Sequence, residues 1–403
     1  MTASTNSNKT IPFGEFVALM ATLTSLVALS IDALLPALPA IGQSLGVQRE
    51  NDNQLIIALL FLGMAFGQMI YGPLSDSVGR KPAIYIGLGL YITGAFMALV
   101  STTFPVMLIG RVIQGMGGAG PRIITVAIIR DQYQGRAMAR VMSFITTVFI
   151  LVPIVAPLVG QTILLVAHWR AIFGLYLLLA TIAFIWFALR QPETLTPDRR
   201  RPFSWAQLMA AIREIFSNRL AFGYTIAIGL IFGAFMGYLN SAQQIFQEMY
   251  GLGKLFPFFF GALAFSIGSA SFLNGRLVMR YGMRVLSRNA LLTFSSLSLI
   301  FGVISAMLAG QPPLWALMTY FLMSFFCVGM LFGNLNALAM ETLGHIAGVG
   351  AAVIGSLSTL ISLFLGTLIG QSYNGTVLPL VTGFALLSIA AFGVIEWTEK
   401  GRK

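Results

Sequence analysis

The chain contains few charged residues and a single cysteine, and both shortages restrict the class of protein. Only 9% of its 403 residues are charged, while 57% are hydrophobic. Soluble domains carry about 25% charged residues, so this composition excludes an ordinary soluble protein and indicates a polytopic membrane protein. Cys327 has no second cysteine with which to form an internal disulfide, and its apolar surroundings predict a buried thiol.

The chain also lacks the residue patterns that catalysis and nucleotide binding need. It has no phosphate-binding glycine loop, no metal-ligand cluster and no nucleophile–base pair. These absences argue against an enzyme and against an ATP-driven pump, so an ion gradient must supply the energy for any transport. We expect no cofactor and no metal. The alternative from a different class, a membrane-embedded enzyme or signalling protein, would need clustered polar residues within the membrane.

Positive charge is in excess, at a formal net charge of +11, but it is concentrated in alternate loops. When the N-terminus is placed in the cytoplasm, most of the 24 lysines and arginines fall on the cytoplasmic side. This is the positive-inside distribution of membrane proteins. The basic charge therefore indicates orientation rather than nucleic-acid binding.

Twelve apolar segments are long enough to span a bilayer. A polar stretch at 191–218 follows the sixth segment, and its WAQLMAAIREIF run predicts an amphipathic helix on the membrane surface. We therefore predict a six-helix bundle at 1–190, a cytosolic linker at 191–218 and a second six-helix bundle at 219–403. The turns that begin at Gly72 and Gly275 share three residues at a constant offset, which supports two parallel halves.

One ionisable residue, Asp32, lies inside the first apolar segment, at 16–41. A carboxylate at that depth costs at least ~2.5–3.5 kcal/mol on insertion scales. Loss of solvation favours the neutral form of the carboxyl group. We therefore expect Asp32 to bind and release a proton on a transport path. The alternative is a polar residue that is held against a neighbouring helix to fix packing.

The turn after the second segment reads GPLSDSVGRK at 72–81. It is similar to the G-x-L-x-D-R-x-G-R-(R/K) signature of the major facilitator superfamily, with Ser77 in place of the usual arginine. Within that superfamily the chain resembles the twelve-span Bcr/CflA-type drug:proton antiporters. The resemblance implies an all-α membrane fold in which two pseudo-symmetric six-helix bundles surround a central cavity. The matching residues with an implied gating role are Gly72, Asp76, Gly79 and Arg80.

The gating role has two expected contacts. In the family, the carboxylate of this turn closes the cytosolic side, which implies that Asp76 meets the start of the eleventh span near 348–350. Such a carboxylate can receive a helix N-terminus. We also expect Arg80 to pair with Asp131, which lies below the fourth span.

The fourth span contains LIGRVIQGMGGA at 108–119, which resembles the family's R-x-x-Q-G motif. Arg111 lies well inside the span and must find an anionic or carbonyl partner. Arg111 and Asp32 both fall in the outer half of the bilayer, so we expect Arg111 to pair with Asp32 or to tune it. Structural anchoring of the span is the alternative. Gln114, in the same motif, is a candidate for contact with substrate.

Two further stretches carry the resemblance. The fifth span contains PIVAPLVGQ at 153–161, which resembles the antiporter motif G-P-x-x-G-G and includes Pro153, Pro157 and Gly160. The two prolines remove backbone donors and bend or loosen the helix. In the family this motif accompanies export. The first span contains DALLPALP, which is similar to a Bcr/CflA stretch and assigns the carboxylate's role to Asp32.

The second half supplies neutral polar and aromatic groups that suit a cavity for neutral or weakly polar organic molecules. Hydrogen bonding between helices is the alternative role for the polar ones. The candidates for substrate contact are Phe235, Tyr238, Asn240, Asn334 and Asn336.

Together these features predict a proton-coupled secondary transporter that exports drug-like compounds or metabolites by alternating access, as in multidrug efflux. The alternative is a proton-coupled importer or facilitator of a nutrient, siderophore or peptide fragment. The expected partners are a small-molecule substrate, protons and the lipid bilayer, without nucleic acid, and the expected unit is a monomer. We expect a bacterial inner-membrane location with both termini in the cytoplasm.

Overall fold

The computed structural model describes residues 11–400, and within that range the backbone is helical, without β-strands. The first seven α-helices are α1 (Phe13–Asp32), α2 (Leu38–Ser44), α3 (Leu55–Val78), α4 (Arg80–Val100), α5 (Phe104–Gln132), α6 (Gly135–Val166) and α7 (Arg170–Arg190). The other seven are α8 (Trp205–Ser217), α9 (Arg219–Gln243), α10 (Phe256–Tyr281), α11 (Met283–Met307), α12 (Leu314–Met340), α13 (Ala347–Gln371) and α14 (Leu378–Glu399).

Twelve helical segments in the described range are long and apolar enough to cross a membrane, which confirms the predicted number. The hydrocarbon core offers no hydrogen-bond partner to the backbone, so each segment must satisfy its own amide groups as a helix. The first span comprises α1 and α2, and α8, with 13 residues, is too short to count among the twelve. The predicted cytoplasmic position of the termini falls on residues 1–10 and 401–403, outside the described part of the chain.

The helices of each half pack mainly on one another. In the first half α3 and α4 pack on α5, and in the second half α13 and α14 pack on α9. Glycines allow the closest approaches: a methyl group at Gly63 would lie 1.9 Å from the carbonyl oxygen of Val112, and one at Gly115 would lie 1.9 Å from that of Leu60. The halves meet where α3 packs on α13 and α6 packs on α10.

The two turns that repeat in the sequence also repeat in backbone conformation. Gly79 ends α3 with φ 107°, and Gly282 ends α10 with φ 79°. Residues that carry a Cβ atom rarely adopt these backbone angles, so glycine is required at both turns. We name the end of the bundle that contains these turns and α8 the basic face, and the other end the opposite face.

The linker contains the helix that its sequence predicts. In α8 the side chains of Leu208, Ala211 and Ile215 are buried, while Trp205 and Met209 are more than half exposed. The buried side of α8 packs on α9 and α13. The division of the chain into units at 190 and 219 stays a prediction, although α7 ends and α9 begins at those residues.

Candidate functional site

Asp32 lies at an interruption of the first membrane span. It is the last residue of α1, and a short 3₁₀ turn at Leu35–Ala37 separates it from α2. Pro36 and Pro39 explain the interruption, because proline has no amide hydrogen to donate to the preceding turn. The side chain of Asp32 is 6% exposed, and no donor among residues 11–400 forms a hydrogen bond or ion pair with its carboxylate.

Two tyrosines from different halves lie near this carboxylate. Tyr176 on α7 and Tyr238 on α9 are both close enough for the charge of Asp32 to act on them. Both hydroxyl groups are buried, and neither has a hydrogen-bond partner in the described part of the protein. Asp32 therefore lies among polar groups that are free to bind a ligand or one another.

Arg111 is fully buried and anchors three helices. Its Nε donates to the carbonyl oxygen of Ile56 at 2.9 Å, its Nη1 to Oε1 of Gln114 at 2.8 Å and its Nη2 to the carbonyl oxygen of Ser30 at 2.9 Å. The Ser30 carbonyl is available because the amides of the following turn donate to Leu29 and Ile31 instead.

Arg111 does not form an ion pair with Asp32 in this structure, although the sequence favours that pairing. Carbonyl groups take its place as the partner, which is the anchoring role considered as the alternative. Arg111 is connected to Asp32 only through the backbone of α1, because it binds the carbonyl group of Ser30, two residues before Asp32. This geometry fixes the position of the α1 end.

Gln114 belongs to the same network. It is fully buried, its Oε1 accepts from Arg111, and its Nε2 lies 3.4 Å from Oγ of Ser30. Ser30 in turn contacts the hydroxyl group of Tyr91 on α4. The amide of Gln114 is thus used by the protein in this conformation rather than presented to a ligand.

An aromatic cluster lies between the halves. Phe61 on α3 meets Phe232 on α9 with ring centroids 6.0 Å apart. Phe235 stacks near Phe232 at 5.9 Å and meets Phe332 on α12 at 6.0 Å. Tyr238 continues the cluster toward Asp32, 6.3 Å from Phe235. These contacts place two of the predicted cavity residues, Phe235 and Tyr238, together.

The three predicted asparagines are in different environments. Asn334 exchanges two hydrogen bonds of 2.9 Å with Asn274, which joins α12 to α10. Asn240 is 1% exposed and packs against Gly370. Asn336 is the exposed one, and it donates to the carbonyl oxygen of Phe332. Of the three, only Asn336 is open to a ligand in this conformation.

The predicted gating residues meet at the basic face. Arg80 is 4% exposed and pairs with Asp76, and its Nε lies 2.9 Å from Oδ2 of Asp131, as the sequence predicts for that pair. Asp76 forms no hydrogen bond to residues 348–350, the contact that the resemblance implies. The carboxylate of Asp76 instead accepts a hydrogen bond from Nη1 of Arg80, four residues later in the chain. Gly72 nevertheless lies next to Ala352 on α13.

The fifth span contacts the interruption of the first. The helix α6 runs unbroken through Pro153 and Pro157, despite the missing amide donors. Further along it, a methyl group at Gly160 would lie 1.8 Å from the carbonyl oxygen of Ala33. The motif glycine therefore packs directly on the backbone beside Asp32.

Sequence reasoning missed Glu193, which ties the linker to the gating turn. Its carboxylate accepts from the backbone amides of Arg80 at 3.0 Å and Lys81 at 2.9 Å, at the start of α4. A carboxylate in this position caps the helix and complements its dipole. A methyl group at Gly79 would lie 2.6 Å from Oε2 of Glu193. Only the acidic charge in a basic linker distinguishes Glu193 in the sequence.

Sequence reasoning also missed Asn51, at the opposite face. Its Nδ2 donates to the carbonyl oxygens of Gln371 and Tyr373, each at 3.0 Å. Gln371 returns a bond of 2.9 Å from its Nε2 to the carbonyl oxygen of Asn51, and Gln244 donates to Oδ1 of Asn51 at 2.7 Å. These bonds join the first half to α9 and α13, and the opposite face is closed there.

A cavity of about 420 Å³ borders these bonds, and its lining includes Glu50, Gln244, Glu248 and Tyr373. Burial, together with the charges of Glu248 and Glu50, raises the pKa of Tyr373 to about 12. The phenol therefore stays protonated at neutral pH. It can act as a donor, and the carbonyl oxygen of Gln244 lies 3.4 Å from it.

The fold and the site define a class. Twelve membrane-spanning helices surround a buried, unpaired acid, and residues 11–400 contain no group of histidine, cysteine and acidic side chains that could hold a metal ion. Helices that bring groups from two halves to one buried acid are typical of a secondary transporter.

Comparison with known proteins gives the family. The model of the Major Facilitator Superfamily matches residues 20–367, and the chain belongs to this superfamily. A bicyclomycin resistance protein homolog of Haemophilus influenzae is 30% identical over 377 residues, 91% of each chain. A chloramphenicol resistance protein of Pseudomonas aeruginosa is 29% identical over 88% of this chain and 83% of its own. Multidrug resistance protein D of Escherichia coli is 25% identical over 88% and 89%.

Solved structures show the same fold. The human organic anion transporter MFSD10 matches 96% of this chain and 100% of its own, with a TM-score of 0.71 and 18% identity. A partially occluded inward-open form of the E. coli xylose transporter XylE matches 96% and 97%, with a TM-score of 0.73 and 12% identity. The predicted superfamily, the likeness to Bcr/CflA-type antiporters and the all-α fold are confirmed. The protein is a multi-pass membrane transporter of small molecules and not an enzyme.

Proposed function

We propose that the protein exports small organic molecules in exchange for protons. The observation that carries this proposal is the carboxyl group of Asp32, buried at an interrupted span without a protein partner. An isolated buried acid is most stable in its neutral form, and it takes up a proton unless a ligand or donor group replaces the lost water. Proton and substrate therefore compete for the same residue, and this competition couples their movements.

The names of the relatives support the direction of transport. Proteins that confer resistance to bicyclomycin, to chloramphenicol and to several drugs are similar to this chain along most of its length. Resistance that depends on a transporter results from removal of the compound from the cell. The contact between Gly160 and Ala33 adds support, because it connects the fifth-span motif that accompanies export to the backbone beside Asp32.

The cycle follows from this assignment. With the basic face in the cytoplasm, as the distribution of lysine and arginine favours, the opposite face, where Asn51 joins the halves, is extracellular. Substrate binds among the aromatic side chains near Phe235 and Tyr238 and displaces the proton from Asp32. The halves then rock, and a proton from outside replaces the substrate. One proton moving down 100 mV supplies about 2.3 kcal/mol, enough for a gradient of about 50-fold.

The remaining assignments belong to the same proposal. The residues at 72–81 and Asp131 act as the cytosolic gate, and Asp76 reaches the start of α13 only when the basic face closes. Two six-helix units, 1–190 and 219–403, move relative to each other, with 191–218 as their linker. The protein works as a monomer in the inner membrane with both termini in the cytoplasm.

The test uses inside-out vesicles that contain the purified protein and a fluorescent pH indicator. Addition of bicyclomycin or chloramphenicol should release protons from the acidified lumen in the parent protein, while the variant Asp32→Asn should reach the membrane and show no such release. Asp52→Asn, at the opposite face, is the matched control and should behave as the parent does. Proton movement in the other direction would indicate import, and full coupling in Asp32→Asn would remove the basis of the proposal.

A further inference from the structure

The opposite face is held closed by hydrogen bonds that converge on one residue. The side chain and backbone of Asn51 take part in four hydrogen bonds to residues of the second half. We propose that Asn51 is a positioning residue of the transport cycle. It stabilises the conformation in which the opposite face is closed, and its removal shifts the protein toward the conformation in which that face is open.

The chemistry of the contact requires a short carboxamide. A carboxamide carries two donor hydrogens and an acceptor oxygen in one plane, and all three are used here. The donors of Asn51 bind two carbonyl groups, and its oxygen accepts from Gln244. The side chain is held in place because it belongs to a 3₁₀ turn at Glu50–Gln54 that leads directly into α3.

The acceptors on the second half are carbonyl groups that need an external partner. Gln371 is the last residue of α13, and Tyr373 lies just beyond that helix. The final carbonyl groups of a helix have no amide within the helix to bind them. When the face is closed Asn51 satisfies them, and when it is open water must do so. The contact therefore discriminates between the two conformations.

The bonds are placed where they can be exchanged. They border the cavity of about 420 Å³, so water can replace the protein partners when the halves separate. The deeper contacts between the halves are different, because they are apolar. Ile150 on α6 packs against Gly268 on α10, for example. Lipid or other apolar side chains can replace such contacts at little cost, so these contacts select a conformation less strongly than the polar bonds do.

The size of the effect follows from the number of bonds lost. Asn51→Ala removes the three bonds that its side chain makes and leaves the one to its backbone. Each intramolecular hydrogen bond makes a modest net contribution, so we expect the equilibrium between the two conformations to shift about tenfold or more.

The experiment measures how accessible a thiol is from each side of the membrane. In a Cys327→Ala background, Ser241→Cys provides a reporter at the opposite face. Ser241 lies on α9, is 1% exposed, and precedes Gln244, the residue directly after α9, by three positions. Asn336→Cys provides a reporter near the basic end of α12, where the side chain is exposed. A membrane-impermeant maleimide is applied to either side of oriented vesicles.

We expect Asn51→Ala to increase labelling at 241 about tenfold from the opposite face and to decrease labelling at 336 from the basic face. A general loss of stability would instead increase labelling at both sites. Asn374→Ala is the matched control, because Asn374 lines the same cavity but binds only Thr376 nearby. It should label as the parent does.

A smaller change covers the case in which Asn51→Ala fails to fold. Gln371→Ala removes one bond from the same contact and should shift both labelling rates in the same directions by about threefold. Unchanged labelling at 241 in both variants, or an increase at both reporters, would overturn the proposal. The test does not depend on proton coupling, because conformational change without substrate is measured. A failed test of Asp32 leaves this result unaffected.

Discussion

The two faces of the bundle are held by different chemistry. At the basic face, the charged contacts lie within one half or between a half and the linker. Arg80 joins Asp76 and Asp131, and Glu193 caps the helix that Arg80 begins. At the opposite face, neutral amide and carbonyl groups centred on Asn51 join the two halves. Contacts within a half can be permanent, whereas contacts between halves must form and break in every cycle.

The energetics of the two kinds of contact explain this division. A buried ion pair is expensive to break, because a charge left without its partner has lost its solvation. Neutral hydrogen bonds at a water-filled cavity exchange with water at a small net cost. Charged networks therefore suit the parts that move as rigid units, and amide contacts suit the surface at which the units separate. The following variants test this comparison.

The largest loss of stability is expected from Arg80→Ala. The arginine is 4% exposed and serves two carboxylates, so its removal leaves both without their partner. We expect a loss of about 3 kcal/mol, seen as a lower midpoint of thermal unfolding in detergent. Arg80→Lys, which keeps the charge, should lose less. A midpoint equal to that of the parent would show that this network is not a permanent part of the first half.

The repeated turns provide a matched pair of glycine variants. Alanine at either Gly79 or Gly282 must adopt a strained backbone conformation, at a cost on the order of 1–3 kcal/mol. At Gly79 the new methyl group also meets Oε2 of Glu193, whereas at Gly282 the space is open. Gly79→Ala should therefore be the more destabilising of the two in the same unfolding assay. Equal losses would mean that Glu193 moves away without consequence.

Glu193→Gln isolates the charge of the helix cap. The amide oxygen can still accept at one of the two carboxylate positions, but the second acceptor and the negative charge at the start of α4 are lost. We expect the variant to lose about 1 kcal/mol of unfolding free energy relative to the parent protein. The difference between the two should be smaller at high salt, which screens the charge. Asp198→Asn, in the exposed part of the same linker, should leave stability unchanged. A loss in that control as large as in Glu193→Gln would assign the effect to linker charge in general.

The smallest effect on stability is expected from Asp76→Asn. Its carboxylate is 43% exposed, and exposed ion pairs contribute about 1 kcal/mol or less. If Asp76 acts as a gate, the variant should instead slow turnover while substrate affinity stays within about threefold of the parent value, because the residue is remote from the cavity. Turnover and binding are measured on the same vesicle preparation. A complete loss of binding would contradict a role confined to the gate.

The sequence predicts features that depend on nearby residues. Twelve spans follow from runs of apolar residues. The isolated acid at Asp32 is evident because nothing else in the apolar segment at 16–41 is charged. The superfamily follows from the same local motifs.

The remaining features depend on contacts between distant parts of the chain. Asn51 binds residues 193 and 320 positions away, and no local pattern marks it. Arg111 turns to the carbonyl oxygen of Ser30 because α1 is interrupted there, which its charge alone does not predict. Asn334 pairs with Asn274, since a carboxamide binds another carboxamide as well as it binds a ligand.

The contact between Gly160 and Ala33 has a consequence for the energy that the cell stores across its membrane. The fifth span touches the main chain beside the acid with no side chain between them, so a change in the curvature of that span would move the backbone that carries Asp32. A bulkier residue at 160 would separate these two movements. In the proposed cycle, protons would then cross without substrate. This uncoupled leak would slowly dissipate the proton gradient that drives export.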